Sequence, residues 1–171
     1  MQDPVFRRKV LDVVTTTQLK MCVQCSRCVD NCPVANEVGD DIYNPRKLIM
    51  ESFLGIKDSI FGSPAPAEGL PENFNLWGCS LCDKCNEQCP NSIPLTEVFY
   101  ILKNISTELG QAPEFYMKQV RTIFENGKCI PIMDAIKKIR LNMGLTENLP
   151  EPDLSEIQKL LEKTGLKKVI G

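Results

Sequence analysis

The sequence predicts an all-α protein, and three observations predict it. Apolar residues recur at helical spacing in several segments, proline follows Asp or Asn where helices would start, and no stretch alternates as a half-buried strand would. Asp3-Pro4 offers a cap and an N1 proline for a first helix, with Phe6, Val10, Val13 and Val14 as its apolar stripe. Asn44-Pro45 repeats the device, with Ile49, Phe53 and Ile56 on one face and Gly55 near the end. Residues 62–75, rich in Gly, Pro, Ala and Ser, read as a loop leading to Leu76-Trp77, where the indole is expected to pack. From about Pro94 to Leu109, the residues Leu95, Val98, Phe99, Leu102, Ile105 and Leu109 make a core-facing stripe. Helices over Pro113 to Asn126 and Pro131 to Met143 follow, ahead of Gly127 and Gly144.

The last stretch differs. Asn148-Leu149-Pro150-Glu151-Pro152 reads as a stiff linker, and Ser155 to Lys163 as a short helix with Ile157, Leu160 and Leu161 on one side, packing on its own core or on a partner. The expected organisation is a core over 1–110, C-terminal helices packed on it over 111–147, and a linker with a terminal helix over 148–171.

Composition narrows the chemistry. A net charge of -2 and a pI near 5.3 leave no basic face for nucleic acid or anionic lipid. No segment approaches the roughly 20 apolar residues of a membrane span, and Met1 to Lys9 lacks the apolar region of a signal peptide, so a cytoplasmic protein is expected. The absence of histidine removes the usual general base, the usual zinc-hydrolase ligands, the proximal haem ligand and Rieske-type ligation. Any metal must sit on sulfur or carboxylate.

Sulfur is plentiful. Cys22, Cys25, Cys28 and Cys32 form one run, and Cys79, Cys82, Cys85 and Cys89 form another with the same spacing, 57 positions later. Each run ends in Cys-Pro, which completes the C-x2-C-x2-C-x3-C-P pattern of bacterial 4Fe-4S proteins. Three thiolates at i, i+3 and i+6 on a tightly turning segment can take three corners of one cube. The fourth precedes a proline, which pushes the chain extended and aims that cysteine toward the neighbouring cube. The expected ligand sets are therefore Cys22, Cys25, Cys28 and Cys89 for one cluster, and Cys79, Cys82, Cys85 and Cys32 for the other. Zinc takes four thiolates too, but its structural sites pair two short knuckles, and nothing in its chemistry asks for tandem triplets closed by Cys-Pro. Disulfides would leave one of nine cysteines over. Cys129 is expected to be a buried structural thiol. Two oxidised clusters on thiolates would add about four negative charges to the chain. Arg27 and Lys84, at matching positions in the two runs, would oppose them or simply face solvent.

These two motif-bearing segments resemble the α-helical ferredoxin domain with two 4Fe-4S clusters. That domain occurs in the iron-sulfur subunits of succinate dehydrogenase, fumarate reductase, anaerobic glycerol-3-phosphate dehydrogenase and heterodisulfide reductase. Within that group the chain is most similar to the small, C-type iron-sulfur subunit of soluble heterodisulfide reductase from methanogenic archaea, over about residues 15–110. The likeness is carried by Met21-Cys22 through Asn36, by Tyr43-Asn44-Pro45-Arg46-Lys47-Leu48-Ile49 and by Leu76-Trp77-Gly78-Cys79 through Pro90. No plant-type 2Fe-2S spacing, no Cys-Cys-Gly motif and no G-x-G-x-x-G accompanies the runs.

The resemblance implies a non-catalytic electron-transfer subunit of an oxidoreductase complex. It would relay single electrons from a flavin-containing subunit to a catalytic subunit with Cys-Cys-Gly motifs that reduces the CoM-S-S-CoB heterodisulfide, on its own or in a larger complex with a hydrogenase or formate dehydrogenase. The competing readings are an iron-sulfur subunit of another dehydrogenase, of the glycerol-3-phosphate or fumarate reductase kind, and a free two-cluster ferredoxin.

Overall fold

The computed structural model describes residues 2–130 and 133–170, without the side chains of residues 14 and 15. Among the described residues there is no strand. The chain divides into two units, Met1–Pro113 and Glu114–Gly171.

In the first unit, α1 (Pro4–Leu11) starts where Asp3 Oδ1 accepts hydrogen bonds from the amides of Val5 and Phe6, both at 2.9 Å. Its stripe is shorter than expected. Phe6, Val10 and Leu11 are buried, but the helix stops before Asp12 and gives way to a 3-10 helix at Val14–Met21, while Val13 stands exposed. The local cause is Thr16, whose buried hydroxyl donates to the carbonyls of Val10 and Val13 and so competes with helix continuation at the start of a β-branched run. The side chain of Val14 lies outside the described residues.

The first cysteine run carries α2 (Arg27–Asp30) and α3 (Pro33–Val38). Then α4 (Pro45–Leu54) is capped by Asn44, whose Oδ1 accepts from the Lys47 amide at 3.0 Å, and it buries Leu48, Ile49 and Ser52. It ends at Gly55, which takes a left-handed φ of 75°. Ile56 therefore lies beyond the helix it was expected to share, as the cap of α5 (Lys57–Ile60). Packing of α1 on α4 is tied by the Asp3 amide donating to Gly55 O at 2.7 Å and by Arg7, whose guanidinium lies over the Phe53 ring.

The second run begins just after α6 (Phe74–Trp77) and carries α7 (Lys84–Glu87). The longest helix follows, α8 (Leu95–Glu108), and buries Leu95, Val98, Phe99, Leu102 and Ile105 as expected. Leu109 caps it from outside and is exposed. Together these elements enclose one apolar core, which includes Tyr43, Leu76 and Phe99, each at most 1% exposed. Burial on this scale stabilises by roughly 1.5–3 kcal/mol per large side chain.

The second unit comprises α9 (Glu114–Asn126), α10 (Asp134–Asn142), α11 (Leu154–Lys163) and an unanticipated α12 (Leu166–Ile170). The expected start of α10 at Pro131 lies outside the described residues. Asp153 caps α11, and α11 packs on α9, where Gln158 Nε2 donates to Phe124 O at 3.1 Å. None of the described residues of this unit is fully buried.

Candidate metal centre

The repeat seen in the cysteine spacing extends to backbone shape. In the first run Gln24 and Ser26 take left-handed φ values of 58° and 66°; in the second, Leu81 and Asp83 take 55° and 61°. These are the same positions in each repeat, and none is glycine. A left-handed non-glycine residue costs roughly 1–2 kcal/mol, most of all for a leucine. Two in alternate positions curl the chain into a concave nest, the kind of backbone shape that cradles phosphates and iron-sulfur clusters. After each nest comes one turn of helix, α2 or α7, and then the Cys-Pro pair.

The curl sets the thiols around two cavities. Cys22, Cys25, Cys28 and Cys89 line the first. Cys32, Cys79, Cys82 and Cys85 line the second, and Cys28 borders it as well. Thus Cys89 meets the first run and Cys32 meets the second, while all eight remain unbridged as thiols. Cys25 and Cys82 are exposed; the other six are half-buried against the apolar core. A quartet of sulfur donors at each cavity, with Cys28 reaching both and Asp83 at the edge of the second, is a donor set that suits a cubane of iron and sulfide. Among the described residues, no three Cys, Asp or Glu side chains converge closely enough for a single metal ion.

Polar groups reach the sulfurs in both places. At the first cavity Gln24 Nε2 donates to Cys22 Sγ at 3.2 Å, and the Ile93 amide donates to Cys89 Sγ at 3.4 Å. At the second, the Ala35 amide donates to Cys32 Sγ at 3.5 Å, Thr96 Oγ1 lies 3.8 Å from Cys85 Sγ, and buried Tyr43 lines the cavity beside Cys79. Burial, with neighbouring cysteines adding to it, pushes the thiols of Cys28 and Cys85 up to about 11. Burial also raises the Tyr43 phenol well above its ordinary value, so it stays neutral. Arg27 and Lys84 open α2 and α7 at matching places and are exposed.

Three residues of α8 were not anticipated in this role. Thr96, Lys103 and Ser106 are buried on a helix face whose other members are apolar. Lys103 Nζ donates to Cys79 O at 2.6 Å and lies 5.2 Å from the centre of the Trp77 ring, while Trp77 Nε1 donates to Ser106 Oγ at 3.0 Å. The available signal was positional: Lys103 is four residues after Phe99 and so falls beside the apolar stripe. The indole of Trp77 does pack, as expected, and also bonds. Cys129 is a correction. Its thiol is exposed in the segment after Gly127, in a unit where none of the described residues is fully buried.

Residues 18–93 match the 4Fe-4S dicluster domain family, and the helical, strand-free architecture of the described residues agrees with an α-helical, two-cluster ferredoxin-like fold. Its relatives are more particular. The chain is 29% identical to the C-type subunit of the H(2):CoB-CoM heterodisulfide,ferredoxin reductase of Methanothermobacter thermautotrophicus, over 90% of this chain and 78% of the relative. It is 27% identical to the C-type iron-sulfur subunit of the CoB--CoM heterodisulfide reductase of Methanopyrus kandleri, over 99% and 81%. Similarity of 26%, over 94% and 89%, extends to the C-type subunit of the Ferredoxin:CoB-CoM heterodisulfide reductase of Methanosarcina mazei. Over most of its length the chain is thus similar to C-type subunits of heterodisulfide reductases. Among the described residues no helix is long and apolar enough to cross a membrane.

Proposed function

We propose that this chain is the electron-transfer subunit of a heterodisulfide reductase complex. Cys22, Cys25, Cys28 and Cys89 would hold one 4Fe-4S cluster, and Cys79, Cys82, Cys85 and Cys32 the other. The observation that carries the reading is the pair of adjoining cavities, each lined by three thiols of one run and the last thiol of the other, with Cys28 bordering both. A 4Fe-4S cluster supplies one-electron storage at a potential set by its surroundings. The chain's own residues do the rest. Eight thiolates would fix the two sites side by side, Gln24, Thr96 and the amides of Ala35 and Ile93 direct dipoles at sulfur, and the exposed edges at Cys25 and Cys82 give each site an approach from outside.

In this reading a flavin-containing subunit delivers electrons, and a catalytic subunit with Cys-Cys-Gly motifs uses them to reduce the CoM-S-S-CoB heterodisulfide. The names of the relatives, which specify that reductase and in one case a ferredoxin donor, support it. No Cys-Cys-Gly motif occurs in this sequence, which suits a relay and not the site of disulfide chemistry.

The test is iron and acid-labile sulfide per chain on protein purified without oxygen, followed by capture of its partners. About eight of each, with a large flavoprotein and a Cys-Cys-Gly protein retained, is the expected result. About four would mean that one site does not assemble, zinc in place of iron would remove the electron-transfer reading, and capture of a different dehydrogenase would reassign the complex.

A further inference from the structure

A buried lysine sits beside the second cavity with no carboxylate to answer it. Lys103 is 8% exposed, and among the described residues no Asp or Glu pairs with it. Its ammonium is held by one carbonyl, that of Cys79, and by the face of Trp77. A buried ammonium without a counter-charge is expensive, and a carbonyl dipole with one aromatic face answers it only in part. The carbonyl that holds the ammonium belongs to Cys79, whose thiol lines the second cavity, so the negative charge that would answer Lys103 lies on the thiolate side of that cavity.

Resting on the cluster assignment proposed above, we infer that Lys103 is a built-in counter-charge for the cluster of the second cavity and holds that cluster's reduction potential up. Each 4Fe-4S centre on four thiolates carries about two negative charges when oxidised and one more when reduced, so a fixed positive charge favours the reduced form. Arg46 borders the first cavity but is only half-buried, where water and salt screen it. Arg27 and Lys84 are exposed and screened further. Lys103 is the desolvated cation among them, and α8, anchored by the apolar core, fixes it in place. Lys103 acts on the centre through position and charge, without contacting a sulfur.

The two cavities also provide internal standards. Thr96 meets the thiol of Cys85, which lines only the second; with Cys85 as thiolate, the hydroxyl must donate. Gln24 meets the thiol of Cys22, which lines only the first, and Asn is a shorter residue that tolerates its left-handed backbone. The Thr96→Val and Gln24→Asn variants therefore each mark one midpoint.

The experiment is a redox titration of the anaerobic full-length protein followed by EPR, with iron counted in every sample. Lys103→Met and Lys103→Gln are expected to make the reduction of one centre at least tenfold less favourable, a fall of about 59 mV for a one-electron couple. That centre is the one Thr96→Val also lowers, by less, and not the one Gln24→Asn lowers. Gln keeps a donor for the Cys79 carbonyl, so its shift reports charge, and Lys103→Arg is expected to hold the wild-type midpoint. Should the neutral variants lose about four iron atoms while Lys103→Arg keeps about eight, the counter-charge role also stands. The inference falls if the neutral variants keep their iron with both midpoints unmoved, if the centre marked by Gln24→Asn moves instead, or if Lys103→Arg loses the centre as well. Wild-type protein with fewer than about eight iron atoms would sink the cluster assignment itself, and this inference with it.

Discussion

Replacing cysteines two at a time distinguishes a crossed ligand scheme from an uncrossed one by counting iron. Cys32 lines only the second cavity, together with Cys82, whereas Cys25 lines only the first. Alanine is the preferred replacement because a serine oxygen could still ligate. Cys25 and Cys82 are exposed, so removing them disturbs the core least. Cys28 borders both cavities and is left alone. If Cys32 serves the second site, Cys32→Ala costs about four of eight iron atoms, and adding Cys82→Ala costs no more, because both changes strike one site. Adding Cys25→Ala to Cys32→Ala strikes both sites and brings iron close to none. The reciprocal pairs follow: Cys89→Ala with Cys25→Ala keeps about four, and with Cys82→Ala keeps almost none. The assay is iron and sulfide per chain on anaerobically purified protein, with EPR of the reduced samples. The reversed pattern, with Cys32→Ala and Cys25→Ala together retaining about four, would refute the crossing and return each run to a site of its own.

Other consequences are simpler to read. In protein holding its iron, an alkylating reagent checked by mass spectrometry is expected to modify Cys129 alone of the nine cysteines, since it is exposed and outside both cavities; after iron removal Cys25 and Cys82 join it first. Alkylation of Cys25 at the same rate with iron present would contradict its role. Gly55→Ala is expected to destabilise the first unit by about 2 kcal/mol or more, because it adds left-handed strain to a Cβ that would lie 2.7 Å from the backbone oxygen of Asp3. Gly110→Ala, at a similar φ of 71° but with nothing near its Cβ, is expected to cost only the backbone strain of about 1 kcal/mol. Denaturant melts followed by circular dichroism separate the two, and equal losses would show that the α1–α4 contact at Gly55 contributes nothing.

Much of this was legible because it is local. The Asp3 and Asn44 caps, the helix end near Gly55 and the buried stripe of α8 from Leu95 to Ile105 each depend on neighbours in sequence and stand where the residues indicated, while Ile56 and Leu109 fall just outside their helices. Patterns failed where a tertiary partner or a hydroxyl decided the outcome. Thr16 turns the end of α1 into a 3-10 helix by bonding back to Val10, which periodicity does not weigh. The left-handed residues were hidden for a different reason: Gln24, Ser26, Leu81 and Asp83 carry no glycine signal, and only long-range constraint on the cysteine runs accounts for a leucine there. Lys103 was hidden because its burial depends on Trp77, which arrives from another helix.

Core and candidate metal centre are not separate layers in this fold. Ile49, Ile93 and Leu95, each at most 3% exposed, line the first cavity, and Tyr43 and Phe99, each 1% exposed, line the second. The residues that stabilise the first unit by apolar burial are thus the ones that wall the thiols. One consequence is energetic, because strained left-handed turns costing roughly 1–2 kcal/mol each must be held by that shared core. Another is electrostatic, since on the core side the same walls lower the local dielectric, where one ammonium or one hydroxyl on α8 acts more strongly than in water. If the second cavity holds a cluster, a helix that supplies Phe99 and Leu102 to packing, Thr96 to the cavity and Lys103 to the Cys79 carbonyl couples the stability of the fold to the electronics of the site. Selection on either would be felt by both, which gives a physical reason for a buried lysine on an otherwise apolar face.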